Sequence, residues 1–445
     1  LDFDLGDDTV LNTGLSYQKT SADNVTWGGL PPFYADGGLI DWDRGASLGQ
    51  DWTYVDTKRT EAFAALEHNF QNGWTGRVVL THVRNDMDSQ LAWITGAPDR
   101  ETGAGMSGWG TRYDGGYKLT NLNAVLNGDF QAFGRDHQFV LGAMASQNKA
   151  KYFGYGYGAD FTVNIHDLNG NAPAPVLLSD PDYISESRNK QYAVYGASHF
   201  SVTDRLALIA GARVNWWDGQ EGDGTRTTAS YKFSGKVTPY VGFTYDITPE
   251  WTAYGSLTSI YAPSLSQDIN RQYLDPTYGW NYELGAKADL LNGSMYVAAA
   301  IFQTDQKDVA KYAGYIEEEM RSYYVSIDGT KTRGLELEAA GALTDRWNVS
   351  AGYTFRIAKD NQDVEQQTDQ PRHTLKVATD YRLANILDDK LTVGGAMRWQ
   401  SATVSMPWDG ESLGVRQGAY AVFDLNASYE INDKTELSFS VNNIM

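Results

Sequence analysis

The chain contains no cysteine. That removes disulfide scaffolds, thiolate metal sites and cysteine nucleophiles in one step. No apolar run approaches the roughly 18 residues that a membrane-spanning helix needs, which excludes a helical membrane protein. Basic residues are in deficit, 36 Lys plus Arg against 56 Asp plus Glu, for a net charge of −20. Such a balance argues against a nucleic-acid partner. The opening Leu1-Asp-Phe-Asp-Leu5 has neither a basic n-region nor an apolar h-region, so it does not read as a signal peptide. With no initial Met and an end at Val441-Asn-Asn-Ile-Met445, the chain reads as a piece of a larger precursor, incomplete at both ends.

What is present is alternation. In Tyr420–Glu430, Ala421, Phe423, Leu425, Ala427 and Tyr429 fall on one face; Val422, Asp424, Asn426, Ser428 and Glu430 fall on the other. After Asn432-Asp-Lys434, Leu437, Phe439 and Val441 oppose Glu436, Ser438 and Ser440. The same pattern sets Leu206 and Leu208 against Arg213, Val241 and Phe243 against Thr244, Leu284 against Glu283, and Leu335 against Glu336. A strand of this kind separates water from an apolar medium. Repeated over 445 residues with no helix between, it points to lipid outside and a wet lumen inside. The 28 Tyr and 13 Trp suit interfacial girdles and a ligand vestibule.

Short turns at 71–73, 134–136, 203–205, 248–250, 292–294, 344–346 and 432–434 alternate with longer polar segments near 20–55, 86–116, 152–189, 217–228, 262–277, 308–325, 359–371 and 402–417. Unequal connections at the two ends mark an outer-membrane barrel, with turns periplasmic and loops extracellular. The count comes to about seventeen strands.

Two motif matches carry no chemistry. Gly45-Ala-Ser-Leu-Gly49 lies in a loop, where no nucleophile elbow forms, and Gly103-Ala-Gly-Met-Ser-Gly108 lacks a βαβ unit. The six histidines are dispersed and no pair has metal-ligand spacing, so no protein metal site is expected. The loop aromatics are the functional candidates. Tyr155 and Tyr157 alternate with glycines in Tyr152-Phe-Gly-Tyr-Gly-Tyr157, Trp216 and Trp217 top another strand, and Tyr261, Tyr273 and Trp280 surround a third. Trp217 shares the parity of Arg213 on the lumen side and is the better ligand candidate; if the strand stops short of it, Trp216 stays a candidate.

Several stretches carry a family resemblance: Trp27-Gly-Gly-Leu-Pro-Pro-Phe-Tyr-Ala-Asp-Gly37, Asp51-Trp-Thr-Tyr54, Asn281-Tyr-Glu-Leu-Gly-Ala-Lys287, Thr332-Arg-Gly-Leu-Glu-Leu-Glu338, Pro371-Arg-His-Thr-Leu-Lys376, Gly418-Ala-Tyr-Ala-Val-Phe-Asp-Leu425 and Val441-Asn-Asn443. In order and over the whole chain, 1–445, they resemble the barrel of TonB-dependent outer-membrane ferric-siderophore receptors, of the ferric-coprogen and ferric-hydroxamate type, and the Gly29-Leu-Pro31 stretch narrows the resemblance towards the hydroxamate and pyoverdine branch. The resemblance implies an all-β, transmembrane antiparallel barrel of 22 strands, of which about numbers 5 to 21 are here and the plug is not. It implies a monomeric carrier, not an enzyme, in the bacterial outer membrane among lipid and lipopolysaccharide. Its cargo would be a ferric siderophore, hydroxamate type favoured, with iron arriving already chelated and no cofactor. Energy would come from the TonB-ExbB-ExbD complex through the plug and its TonB box. The rival readings are another cargo (heme, cobalamin, an oligosaccharide), a passive porin, or a barrel enzyme.

Overall fold

The structure is a computed structural model and describes residues 1–157, 160–168, 172–319, 321–405 and 414–444. Its strands are β1 Asp2–Gly6, β2 Thr9–Asp23, β3 Tyr54–Asn69, β4 Thr75–Gly96, β5 Met106–Ala132, β6 Arg135–Tyr157, β7 Phe161–Val163 and β8 Tyr183–Ser201. There follow β9 Leu206–Gly222, β10 Thr227–Asp246, β11 Trp251–Ala262, β12 Thr277–Leu290, β13 Met295–Lys307, β14 Val309–Ile316, β15 Arg321–Ile327 and β16 Lys331–Thr344. The last are β17 Trp347–Lys359, β18 Glu365–Gln366, β19 His373–Arg382, β20 Leu391–Gln400, β21 Thr403–Ser405, β22 Val415–Gln417, β23 Tyr420–Asn432 and β24 Thr435–Val441. Twenty of them share one sheet, in which β1 and β2, β4 and β5, β11 and β12, β16 and β17, and β20 and β23 pair antiparallel. Setting aside the short loop strands β7 and β18 leaves eighteen, one more than the alternation predicts. Among the described residues no helix is long and apolar enough to cross a membrane.

Two compact units divide the chain. One comprises Leu1–Asp129, Gln138–Gly196 and Arg213–Val237; the other Phe130–His137, Ala197–Ala212 and Thr238–Met445. In the second unit, directly opposed residues run Phe243, Gly255, Leu284, Ile301, Leu335, Phe355 across six strands. Opposed residues share a face, so this is one continuous apolar row. Leu284 is 53% and Ile301 56% exposed. So large an apolar surface is stable against lipid, not water. Gly255 sits in this row because the Phe243 ring covers it; a Cβ there would lie 2.6 Å from that ring. The opposite face is polar, with the Tyr254 hydroxyl donating to Glu283 at 2.8 Å. Trp251, Trp347, Tyr245 and Tyr381, all exposed, stand at the turn ends of the apolar face, as an interfacial girdle does. The turns are braced by ion pairs, Arg135 to Asp204 at 2.8 Å and Arg346 to Asp389 at 2.7 Å.

The first unit repeats the pattern with Leu66, Val78, Leu80, Leu122 and Ala124 in register on its belt face. Here β4 and β5 pair without interruption from Thr75↔Asn127 to Gly96↔Met106. The segment 86–116, expected as a loop, is therefore strand at both ends, with only 97–105 irregular. Connections near 152–189 and 217–228 shrink in the same way, and 308–325 folds into the hairpin β14–β15. Above the belt, loop residues cover the outer face of β4 and β5. Leu48, Phe161 and Val163 pack on Ala92, Ile94 and Met106, with Trp52 and Leu168 at the edge. The Trp52 indole N–H donates to the Ala172 carbonyl at 2.9 Å.

Candidate functional site

On the face of β4 and β5 turned away from the belt, Trp93 stands directly opposite Trp109. Trp27 comes down onto them from the loop after β2, held where its backbone N–H donates to the Ala92 carbonyl at 3.2 Å. Its indole meets three rings edge to face: Trp93 at 5.9 Å, Trp109 at 5.5 Å and Tyr113 at 5.4 Å, with interplanar angles of 85–87°. Edge-to-face geometry sets the positive rim of one ring on the negative face of the next, worth about 0.5–1.5 kcal/mol per pair beyond area. Trp27 remains 40% and Trp93 38% exposed, so the nest offers flat apolar surface to a ligand. The glycines flanking Trp109 serve the back of the wall. A Cβ on Gly108 would meet Phe161 at 2.9 Å, and one on Gly110 would meet Trp52 and Pro175 at 2.6 Å.

A second group lies on the same face of this unit. Trp217 stacks on Phe233 at 5.8 Å and 19°, and Phe233 meets Tyr231. Below them the Arg213 guanidinium lies 5.9 Å over the Tyr195 ring and donates to Asn215 Oδ1 at 2.7 Å. The Tyr195 hydroxyl donates to Asn123 at 3.2 Å.

The expected residues fall in different places. Tyr155 donates to Asp114 Oδ2 at 2.7 Å and lies under the Arg112 guanidinium, which also holds Asp88 at 3.0 Å. Asp114 and Asp88 are opposed to each other and share the parity of Leu80 and Leu122, so this network is on the outer face, above the belt. The Tyr157 side chain lies outside the described residues. Trp216 is half-buried and alternates to the side of Asp218, which pairs with Lys232 at 3.1 Å. In the other unit Tyr261 is opposed to Tyr278, whose hydroxyl accepts from Ser259 at 2.8 Å and whose ring meets Trp280 at 6.1 Å. Tyr273 bridges to Gln267 within the loop 263–276. The nest of Trp27, Trp93, Trp109 and Tyr113 was missed by sequence reasoning. The detectable signal was a tryptophan between two glycines, the same cue that singled out Tyr155.

Among the described residues no group of three or more His, Asp or Glu is placed to hold a metal ion. Four histidines are engaged locally: His68 with Thr9 at 2.7 Å, His82 with Thr120 at 2.9 Å, His373 with Tyr353 at 2.8 Å, and buried His137 with Ala132 at 2.9 Å. Loop electrostatics are local too. The Arg100 guanidinium, with the Gly38 N–H, holds the Asp36 carboxyl below its ordinary value, and Thr102 does the same for Asp99.

The sequence profile described as "TonB dependent receptor-like, beta-barrel" matches residues 2–444. The chain belongs to this family. It is 33% identical to the ferric-pyoverdine BN7/BN8 receptor of Pseudomonas putida, over all of this chain and 55% of that protein. It is 32% identical to the ferripyoverdine receptor of Pseudomonas aeruginosa, again over all of this chain and 55% of the relative. The crystal structure of the P. aeruginosa outer-membrane ferripyoverdine receptor bound to ferripyoverdine superposes with a TM-score of 0.89 at 31% identity, covering all of this chain and 60% of that one. The chain thus spans little more than half the length of the relatives it matches. It has the outer-membrane β-barrel fold of TonB-dependent receptors, and these relatives are receptors rather than enzymes. They carry the name pyoverdine, not coprogen, so they agree with the pyoverdine branch and do not confirm the coprogen and hydroxamate subtype.

Proposed function

We propose that this barrel captures a ferric siderophore at the cell surface and delivers it to the periplasm, as part of a longer receptor. The observation that carries the reading is the exposed aromatic nest around Trp27, on the face opposite the lipid belt, in a chain whose relatives are ferric-pyoverdine receptors. A chelated ferric ion presents a bulky organic shell, which flat rings bind by burial and orient by a few donors. We read the cargo as closer to the pyoverdine kind than to a simple hydroxamate. Trp217 with Phe233 is a second wall for the same cargo, and Tyr157 and Tyr273 remain proposed contacts; Tyr155, Trp216 and Tyr261, expected from sequence as contacts, share the parity of the belt face and drop out of the wall. Coupling to the TonB complex would run through residues outside this chain, where a plug and TonB box belong.

The experiment is a titration of the purified full-length receptor, followed by quenching of tryptophan fluorescence. Ferripyoverdine should quench and saturate, ferrioxamine B should compete weakly, and heme and cobalamin should not compete. Saturable binding of heme or cobalamin alone would replace the cargo. Uptake of radioactive iron in cells lacking TonB should vanish; uptake that persists without TonB would make the barrel a passive pore.

A further inference from the structure

Trp27 stands near the start of the 24–53 loop, where its backbone N–H ties it to the Ala92 carbonyl of β4. A second attachment lies farther along both segments. The Ala35 N–H donates to the Pro98 carbonyl at 2.9 Å, just beyond the end of β4. Beside it Arg100 donates from Nε to Asp36 Oδ2 at 3.0 Å and from Nη2 to Asp36 Oδ1 at 3.2 Å. The same guanidinium lies 4.2 Å over the Tyr34 ring, and the Gly38 N–H donates to Asp36 Oδ1 at 2.8 Å. Two parallel hydrogen bonds and a stacked ring make this clasp stronger than a single exposed ion pair.

Both sides of the clasp are stiff. On one side Asp99 closes its turn, accepting from the Thr102 N–H and hydroxyl at 2.8 Å and from the Glu101 N–H at 3.1 Å. That turn is also gripped by the next loop: Asn164 Nδ2 donates to the Thr102 carbonyl at 2.9 Å, and the Ile165 N–H donates to the Gly103 carbonyl at 3.0 Å. On the other side Pro31 and Pro32 fix two φ angles, and the Trp42 indole N–H donates to the Pro31 carbonyl at 2.7 Å. Gly28 and Gly29 are the soft link between this stiff segment and Trp27. Where Tyr34 and Asp36 are held therefore governs where the indole can rest.

We infer that Arg100 is a positioning residue for cargo binding: its clasp on Tyr34 and Asp36 holds the 24–53 loop so that Trp27 seats on Trp93, Trp109 and Tyr113. The inference rests on the reading of the aromatic nest as the cargo site. Without the clasp, molecules divide between seated and unseated loops, and the apparent dissociation constant rises by the inverse of the seated fraction. Arg100 acts through Trp27, so its effect vanishes where the indole is missing.

The test is a double-mutant cycle on the full-length receptor, with ferripyoverdine affinity read by isothermal titration. Arg100→Ala should weaken binding by about threefold or more. Gly38→Ala should do likewise with both charges kept, because a Cβ there would collide with the Arg100 guanidinium. Exchanging the pair, Arg100→Asp with Asp36→Arg, should recover part of the loss. In a Trp27→Ala background, Arg100→Ala should change affinity by less than about 1.5-fold. Arg226→Ala, which breaks an exposed ion pair with Asp223 elsewhere in this unit, should change nothing. Hydrogen exchange without cargo supplies a second readout: the Trp27 amide should exchange faster in Arg100→Ala, with the amides of the β4–β5 ladder unaffected. Unchanged affinity in both Arg100→Ala and Gly38→Ala would overturn the inference. An equal loss with and without Trp27 would overturn it too, by making Arg100 a direct contact of the cargo. Should ferripyoverdine not bind the unaltered receptor, the cargo reading falls, and the exchange rate of the Trp27 amide still decides whether the clasp seats the loop.

Discussion

Leucine 284 tests the facing of the whole sheet with one substitution. It lies six residues before Leu290, the last strand residue before the turn. At about 3.3 Å per residue that is ~20 Å along the strand, and a tilt near 45° makes it ~14 Å in height. An apolar band about 25 Å tall then has Leu284 close to its midplane, where arginine on the lipid face costs about 2–4 kcal/mol. The control is Ala298→Arg. Ala298 is directly opposed to Lys287 and Glu338, on the face away from Leu284. An arginine there meets water and a carboxylate, so its cost should stay within about 0.5 kcal/mol. Both variants are refolded with the full receptor into phospholipid vesicles and unfolded with urea, read by tryptophan fluorescence. Leu284→Arg should reduce the folding constant roughly 30- to 700-fold relative to Ala298→Arg. Equal costs for the two arginines would refute the face assignment, and with it the claim that the row from Phe243 to Phe355 meets lipid.

Four further outcomes follow from the same geometry. Alanine at Trp27 or Trp93 should weaken ferripyoverdine binding by about 1–3 kcal/mol, and the double variant should lose less than the sum because the rings touch; isothermal titration measures both. Gly255→Val should push the Phe243 ring aside and cost about 1–3 kcal/mol in the urea assay, with Phe243→Ala restoring part of it. The native chain has no thiol, so Thr244→Cys should react with a water-soluble maleimide in membranes and Phe243→Cys should not. Asp36 titrates below its ordinary 3.8 because Arg100 holds the charged form, so this contact is complete above pH 3.8 and is lost as pH falls through the depressed value. Acid should therefore speed proteolysis of the 24–53 loop, and Arg100→Ala should abolish that pH dependence.

The membrane-embedded part was legible because lipid on one side and water on the other force a period of two. Leu284 against Glu283, and Phe243 against Thr244, were read correctly for that reason. Above the belt both faces are wet or covered by loops, and the alternation of polarity disappears although the strands continue. Residues 86–96 and 106–116 are the example: Asp86, Asp88, Arg112 and Asp114 look like loop composition, yet all are paired in one ladder. The tight turn at Asp7–Asp8 was missed because two acids amid Asp2 and Asp4 gave no contrast. The nest had no sequence spacing to betray it, since Trp27 reaches Trp93 and Trp109 across a long loop. The glycines flanking Trp109 were the one local signal, and they do not name the rings it meets. They make room for Phe161, Trp52 and Pro175, and those partners are remote in sequence.

The uninterrupted ladder of β4 and β5 also bears on how fast the molecule can work. A strand needs about 9–11 residues to cross the membrane, and this pair runs for 22. Its outer half is a stiff mast rather than a tether, with every residue already opposed to a partner. Trp93 and Trp109 near its tip are thus aimed before any cargo arrives. Little ordering entropy is left to lose at the moment of contact, so dilute cargo meets a finished surface and the encounter resembles rigid docking. For the ferric-siderophore cargo proposed above, iron scarcity would reward that economy. At low concentration the rate of first contact limits supply, and a wall that waits in its final shape turns a larger share of collisions into captures.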